Sequence, residues 1–276
     1  MNDNEFQHFL YTLPVEELQT TASLRTVSNQ RKGTSTHKQK SMTALQKLAD
    51  ETGVDITSME LNLSSNIPVG KGCSSSTADI IATTNAFLRR FFPGTPTPIA
   101  SALTTHIAST IERGEHLTCP GIVSCAQRQH KVLQRYKTRM GITIVGVDEG
   151  GFIDTEKFHK EITPNESLAC TYSDLYKRMH VALMQNDRQA VGSIATESAE
   201  IHQKVLPKES FDKALSLLFE TDALGVCVAH SGTAIGMMLP SEDETIDEKV
   251  SYIQQCLLEN ENSAPMPVLT LLEYGV

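Results

Sequence analysis

The residues most able to do chemistry lie between Pro68 and Asp79, in the run Pro68-Val-Gly-Lys-Gly-Cys-Ser-Ser-Ser-Thr-Ala-Asp79. Gly70 and Gly72 admit backbone angles and close approaches that a side chain would block. Ser74 to Thr77 offer hydroxyls and free N–H groups where the apolar periodicity of a helix begins. A helix start carries unpaired N–H donors and the positive end of the dipole, and so suits a phosphate. Lys71 adds positive charge, and Asp79 is placed where a carboxylate favours the dipole. The register differs from Gly-x-x-x-x-Gly-Lys-Ser/Thr, so this is not the P-loop pattern. The competing reading is a serine-rich cap on an ordinary helix.

Three further segments carry reactive types. Glu112-Arg-Gly-Glu115 places two carboxylates around a guanidinium. His230-Ser-Gly-Thr233 reads as a tight turn between core strands. His230 itself is either a donor to substrate or a satisfied core histidine. Ser28–Lys40 is basic and without periodicity, either a mobile loop that meets phosphates or a solvated surface loop.

The elements that must position these groups follow from periodicity. Strands are expected at Phe9–Leu13, Thr20–Val27, Met59–Leu63, Gly141–Val147, Gly225–His230, Ala234–Leu239 and Val268–Leu272. Helices are expected at Met42–Thr52, Ile80–Phe92, Pro98–Ile111, Asp174–Asn186, Asp187–His202, Ser210–Thr221 and Asp247–Leu258. Asp148-Glu-Gly-Gly151 reads as a turn. Strands and helices interleave without regular β-α-β repetition, so an α+β architecture is expected.

Composition narrows the classes. At 276 residues the chain is long enough for one large or two interlocked domains, and 39% hydrophobic with 21% charged residues is ordinary for a globular protein. The formal net charge of −9 opposes general nucleic-acid binding. No window approaches the roughly 20 apolar residues of a membrane helix, and Met1–Phe9 is polar and acidic, without a leader pattern. The six cysteines form no Cys-x-x-Cys pair and the nine histidines no His-Glu-x-x-His spacing. A zinc site or disulfide framework is therefore not expected, and a cytoplasmic protein with reduced thiols is.

The Pro68–Asp79 stretch resembles the Pro-x-Gly-x-Gly-Leu-x-Ser-Ser-Ala phosphate loop of the GHMP kinases. Within that superfamily it is most similar to the L-threonine kinases of coenzyme B12 synthesis, whose loop carries Lys-Gly-x-x-Ser-Ser-Thr-Ala-Asp. A second block is also similar: Leu206-Pro207-Lys208, Phe211-Asp212 and Gly225-Val-Cys-Val-Ala-His-Ser-Gly232. The resemblance spans roughly residues 9 to 240.

It implies a two-domain GHMP kinase fold. Residues 1–150 would form a ribosomal-protein-like ATP-binding domain and residues 151–276 a ferredoxin-like C-terminal domain. Pro68, Gly70, Lys71, Gly72, Cys73, Ser74, Ser75, Ser76 and Thr77 would wrap the ATP phosphates, joined by Ser231 and Gly232 of the third family motif. Ser76 (or Ser75) and Glu112 would hold Mg2+. Glu115 stands where threonine kinases have a candidate aspartate base, and Arg113 replaces a proline. Glu115, Lys71 and Arg113 are the catalytic candidates, Arg113 serving either the transferring phosphate or a surface acid. The implied reaction is transfer of the ATP γ-phosphate to a hydroxyl, first that of L-threonine, in cobalamin biosynthesis. The expected partner is a small hydroxy amino acid, without nucleic acid or membrane, and a homodimer is compatible. The family's opening Cys-Pro-x-Ser-x-Gly-Glu segment is matched only at Glu5-Phe6-Gln7, so its strand is expected to be absent or degenerate. Another small alcohol as acceptor, a nucleotide-binding protein of weak or no turnover, and an unrelated α+β structural protein are the other readings.

Overall fold

The computed structural model describes residues 9–27, 39–112, 121–126, 131–153, 158, 168–259 and 262–272. Three antiparallel sheets and seven helices make up these residues, an α+β arrangement.

The first layer is built around the helix that carries the glycine–serine loop. Strands β2 (Thr20–Thr26) and β3 (Met59–Ser65) pair antiparallel, from Thr20 opposite Ser65 to Thr26 opposite Met59. Their inward residues alternate, as a half-buried strand requires. Helices α1 (Gln39–Thr52), α2 (Ser75–Phe91) and α3 (Thr97–Ile111) close over them. Ala44, Leu45 and Leu48 of α1 meet Ile80 and Phe87 of α2 and Ile107 and Ala108 of α3. Leu24 and Leu61 pack on from the sheet. The α2 residues Ile80, Thr84, Phe87 and Leu88 recur at helical spacing and are buried.

The second layer centres on β6 (Ile142–Asp148) and β8 (Ala234–Pro240), which pair antiparallel from Ile142–Pro240 to Asp148–Ala234. Both faces of β6 are covered, so its sequence is apolar on both faces apart from Thr143, whose hydroxyl is hydrogen-bonded to that of Ser241, and the terminal Asp148. Ile142 and Ile144 face one core with residues of α4 (Ala169–Gln185) and α5 (Arg188–His202). Val145 and Val147 face another core with α6 (Phe211–Thr221) and α7 (Ile246–Leu257). Strand β7 (Gly225–Val228) extends the sheet beyond β8, and β9 (Ala264–Pro265) and β10 (Leu269–Thr270) both pair with β6. These ladders join segments from both sides of residue 150 in one sheet.

A third sheet runs β1 (Phe9–Thr12), β4 (Ile122–Ala126), β5 (Lys131–Tyr136). Here the structure adds to the sequence reading, which had no strand at β4 or β5. The β4 run Ile-Val-Ser-Cys-Ala is buried throughout and so shows no alternation. Its pairing partner β1 lies far away in sequence. Helix α4 also begins at Ala169 rather than Asp174, because Tyr172 packs onto the first of the two cores and Ser173 is buried.

The helical layer fixes where the α2 N-terminus points, and Phe87 is fully buried at its centre. Phe87→Ala is expected to lower the unfolding free energy by about 3–5 kcal/mol in chemical denaturation, from lost burial plus the cavity left behind.

Candidate active site

Strand β3 delivers the chain to the loop, and Asn66 pins the exit. Its Oδ1 accepts from Gln19 N–H at 2.7 Å and its Nδ2 donates to the Glu17 carbonyl at 2.7 Å. Ile67 is then buried, and residues 68–74 wind through two glycines of positive φ, Gly70 (76°) and Gly72 (84°).

Ser74 is the N-cap residue of α2, yet it sits in the left-handed region (φ 59°, ψ 29°) and makes no side-chain capping hydrogen bond. A non-glycine residue there is strained, and such strain collects at functional sites. An ordinary serine cap would occupy an N–H of the first turn with its own oxygen. Ser74 does not, so the start of α2 is not an ordinary serine-capped one. The first intrahelical bond recorded after the cap is Ala78 N–H to the Ser74 carbonyl at 3.0 Å. The amides of Ser75, Ser76 and Thr77 precede it, at the positive end of a 17-residue helix.

The side chains of this first turn face a carboxylate. Glu112, the C-cap residue of α3, accepts from Ser76 Oγ on Oε2 at 2.7 Å and from Thr77 Oγ1 on Oε1. Lys40 Nζ lies 2.8 Å from the same Oε2, and the Glu112 side chain is only 10% exposed. Two segments distant in sequence are thus brought into direct contact. Ser76 and Glu112, paired in the sequence reading, share a hydrogen bond. Lys40, the last residue of the basic run, is drawn into the same cluster, and residues 28–38 lie outside the described residues. So do Arg113 and Glu115.

Lys71 has partners that sequence alone did not suggest. Its Nζ is 2.7 Å from Asp148 Oδ2 and donates to the Gly151 carbonyl at 2.6 Å. Asp148, at the end of β6, also accepts from Thr233 Oγ1 at 2.5 Å and from Gly150 N–H at 3.0 Å. Burial pushes the Asp148 carboxyl up, but the Lys71, Thr233 and Gly150 hydrogen bonds and the Lys71 charge outweigh it and hold it below the ordinary aspartate value.

The His230–Thr233 segment joins β7 to β8 and lies directly against the Gly70–Gly72 loop. A Cβ on Gly72 would come within 2.4 Å of Ala229 Cβ, and one on Gly232 within 2.1 Å of the Lys71 carbonyl carbon. Ala234 N–H donates to the Lys71 carbonyl at 3.3 Å. The two loops therefore touch backbone to backbone, with no room for a side chain at either glycine. Ser231 is buried, whereas Gly72 is exposed and Ser74, Ser75 and Ser76 are half-buried. Asp79 falls in the second turn of α2, past the reach of the terminal dipole, and accepts from Thr20 Oγ1 at 3.0 Å. It anchors the helix to β2.

Among the described residues no cluster of three or more His, Cys, Asp or Glu could hold a metal by itself, and no helix is long and apolar enough to cross a membrane. Sequence reasoning passed over Asp148 as a turn residue; its signal is a carboxylate at the end of a fully buried strand.

The lowered Asp148 value carries a sign for stability. A depressed carboxyl stabilises the fold above its unfolded pKa, and the contribution disappears as pH falls through the folded value. Asp148→Asn is expected to lower unfolding free energy at pH 7 by about 1–3 kcal/mol. The deficit should shrink as pH falls below the ordinary aspartate range, in denaturation curves taken at a series of pH values.

Comparison with known proteins agrees with this geometry. The model of the GHMP kinases N terminal domain matches residues 39–123, and that of the GHMP kinases C terminal matches residues 179–252. The L-threonine kinase of Citrobacter freundii is 28% identical over 225 residues, covering 78% of this chain and 72% of that protein. The L-threonine kinase of Salmonella typhimurium is 26% identical over 190 residues, covering 66% of this chain and 60% of that protein. Among solved structures, L. major mevalonate kinase in complex with R-mevalonate gives a TM-score of 0.70 at 12% identity, covering 99% of this chain and 93% of that one. Lactococcus lactis galactokinase complexed with galactose gives 0.67 at 11%, covering 98% and 89%. Homoserine kinase from Cytophaga hutchinsonii gives 0.65 at 14%, covering 90% and 85%. At such identities these structures speak for the fold alone. The two family models together take in more than half of the chain, one around the uncapped helix and one around the sheet that meets it, and the chain belongs to the GHMP kinases.

Proposed function

We propose that this chain transfers the γ-phosphoryl group of ATP to the hydroxyl of a small metabolite, L-threonine first, giving O-phospho-L-threonine and ADP. The observation that carries the reading is the mouth of α2: a strained Ser74 that makes no side-chain cap, followed by amides and hydroxyls at a positive helix end. The names of the two curated relatives supply the choice of L-threonine.

The amides of Ser75, Ser76 and Thr77 would bind phosphate oxygens, and Gly70 and Gly72 would let the backbone come close. Ser76 Oγ and the Glu112 carboxylate fit Mg2+. Both are hard oxygen donors, and this ion takes one or two protein ligands beside substrate phosphates and water. Glu112 Oε2 already receives one cation, the Lys40 ammonium. When bound, the ion would neutralise charge on the phosphates. Thr77 Oγ1, on the other carboxylate oxygen, would keep Glu112 oriented.

In the transfer the acceptor oxygen bonds to the γ-phosphorus as the bond to the ADP oxygen breaks. Glu115 is the proposed receiver of the hydroxyl proton, and Arg113 a proposed partner of the transferring group. Lys71, held by Asp148, would contribute its charge from the side of the loop where β6 ends. Catalysis of this kind rests mainly on positioning and charge. The glutamate at 115 and arginine at 113, which depart from the threonine kinase pattern, favour a second reading, a nucleotide-binding protein of weak or no turnover.

Purified protein with MgATP and a panel of hydroxy amino acids and sugars tests the proposal through ADP release. Threonine-dependent release is the expected result. Turnover with another acceptor and none with threonine would overturn the substrate, and nucleotide binding without turnover on any acceptor would overturn the kinase. Glu112→Gln should lower kcat by roughly a hundredfold, the scale for losing one charge-stabilising group. Its melting temperature without nucleotide should stay close to the parent's, because the amide oxygen still accepts from Ser76 or Thr77.

A further inference from the structure

Behind the His230–Thr233 turn lies a lysine for which the transfer chemistry has no use. Lys208 is 5% exposed, an unusual state for an ammonium group. Its backbone N–H donates to Gln203 Oε1 at 2.6 Å, fixing it just beyond α5. Its Nζ donates to the carbonyl of Gly232. Glu149 is the carboxylate whose charge it feels, and Glu149 is itself held, its Oε1 accepting from Ser210 N–H at 2.6 Å and its N–H donating to the Thr233 carbonyl at 3.2 Å. Burial pushes the Lys208 ammonium below its usual range, and Glu149 works against that shift.

Two histidines complete the surroundings. The His202 and His230 rings stack at 5.8 Å. Burial, followed by the Lys208 charge, pushes His202 down to about 4, so its ring is neutral at neutral pH. Lys208 is the buried amine beneath the turn, with its Nζ on the Gly232 carbonyl.

Gly232 transmits this anchor. Its carbonyl is held by Lys208 on one side, and its Cα lies so close to Lys71 and Gly72 that a Cβ would sit 2.1–2.2 Å from their backbone atoms. A close-packed contact of this kind leaves no slack, so a shift of Gly232 moves Gly72. We propose that Lys208 is a positioning residue for phosphate binding: by holding the Gly232 carbonyl it sets the height of the 230–233 turn and, through it, the loop that cradles the nucleotide's phosphates. The inference rests on the kinase reading above.

The test uses the full chain with Lys208→Met, Lys208→Gln and Lys208→Arg, measuring ADP affinity by calorimetry and nucleotide-free melting temperature. A folded neutral variant is expected to bind ADP roughly tenfold more weakly, the scale of one charge-assisted hydrogen bond. Its melting temperature should stay within a few degrees of the parent's, and Lys208→Arg should recover at least part of the affinity. Parental affinity in a folded neutral variant would overturn the inference. So would lost affinity that tracks lost melting temperature, failure of arginine to restore any binding, or failure of both neutral variants to fold. No heat from ADP with the parent protein would instead overturn the nucleotide reading, and the role of Lys208 with it.

Discussion

Everything at the candidate site depends on one contact, the meeting of Gly72 and Gly232 backbone to backbone. A loop from the first layer and a turn from the second approach so closely that neither can carry a side chain there. Close approach of two polypeptide backbones strands polar groups unless they find partners. Here they do: the Lys71 carbonyl receives Ala234 N–H, and the Gly232 carbonyl receives Lys208. The Lys71–Asp148–Thr233 network then links the same two segments through side chains. The site is a seam between layers, and its geometry is only as fixed as that seam.

The arrangement also separates two electrostatic tasks. On one side of the α2 mouth the carboxylate of Glu112 is surrounded by Ser76, Thr77 and Lys40, donors and a cation that hold an anion in place. On the other side Lys71 is matched by Asp148. The first-turn amides of α2 lie between. Among the described residues Lys40 is paired with Glu112 and Lys71 with Asp148, and the helix terminus adds a positive field from backbone dipoles, which are preorganised without cost in side-chain entropy. An acidic protein can thus present a local anion site whatever its total charge.

Much of this was legible in the sequence. The expected strands at Phe9, Thr20, Met59, Gly141, Gly225 and Ala234 are present, as are all seven expected helices, because each has a clear period or a bounded apolar run. The loop from Gly70 to Thr77 and the pairing of Ser76 with Glu112 were also expected, and the two come within hydrogen-bonding distance. Strands β4 and β5 were not legible. A five-residue run buried on both faces carries no periodicity, and its identity as a strand is conferred by β1, more than a hundred residues earlier.

By itself the sequence determined what is local: the glycines that allow positive φ, the hydroxyls that follow them, and the apolar spacing that starts a helix at their end. These depend on residues within a few positions of one another. Tertiary structure alone decided which distant groups meet. It turned Asp148 from a turn residue into the partner of Lys71, placed Lys208 in the interior under Gly232, and left Ser74 without a capping role. The physical reason is that ion pairs and buried hydrogen bonds depend on distances of about 3 Å in space, and such distances are set by how sheets and helices pack rather than by order along the chain.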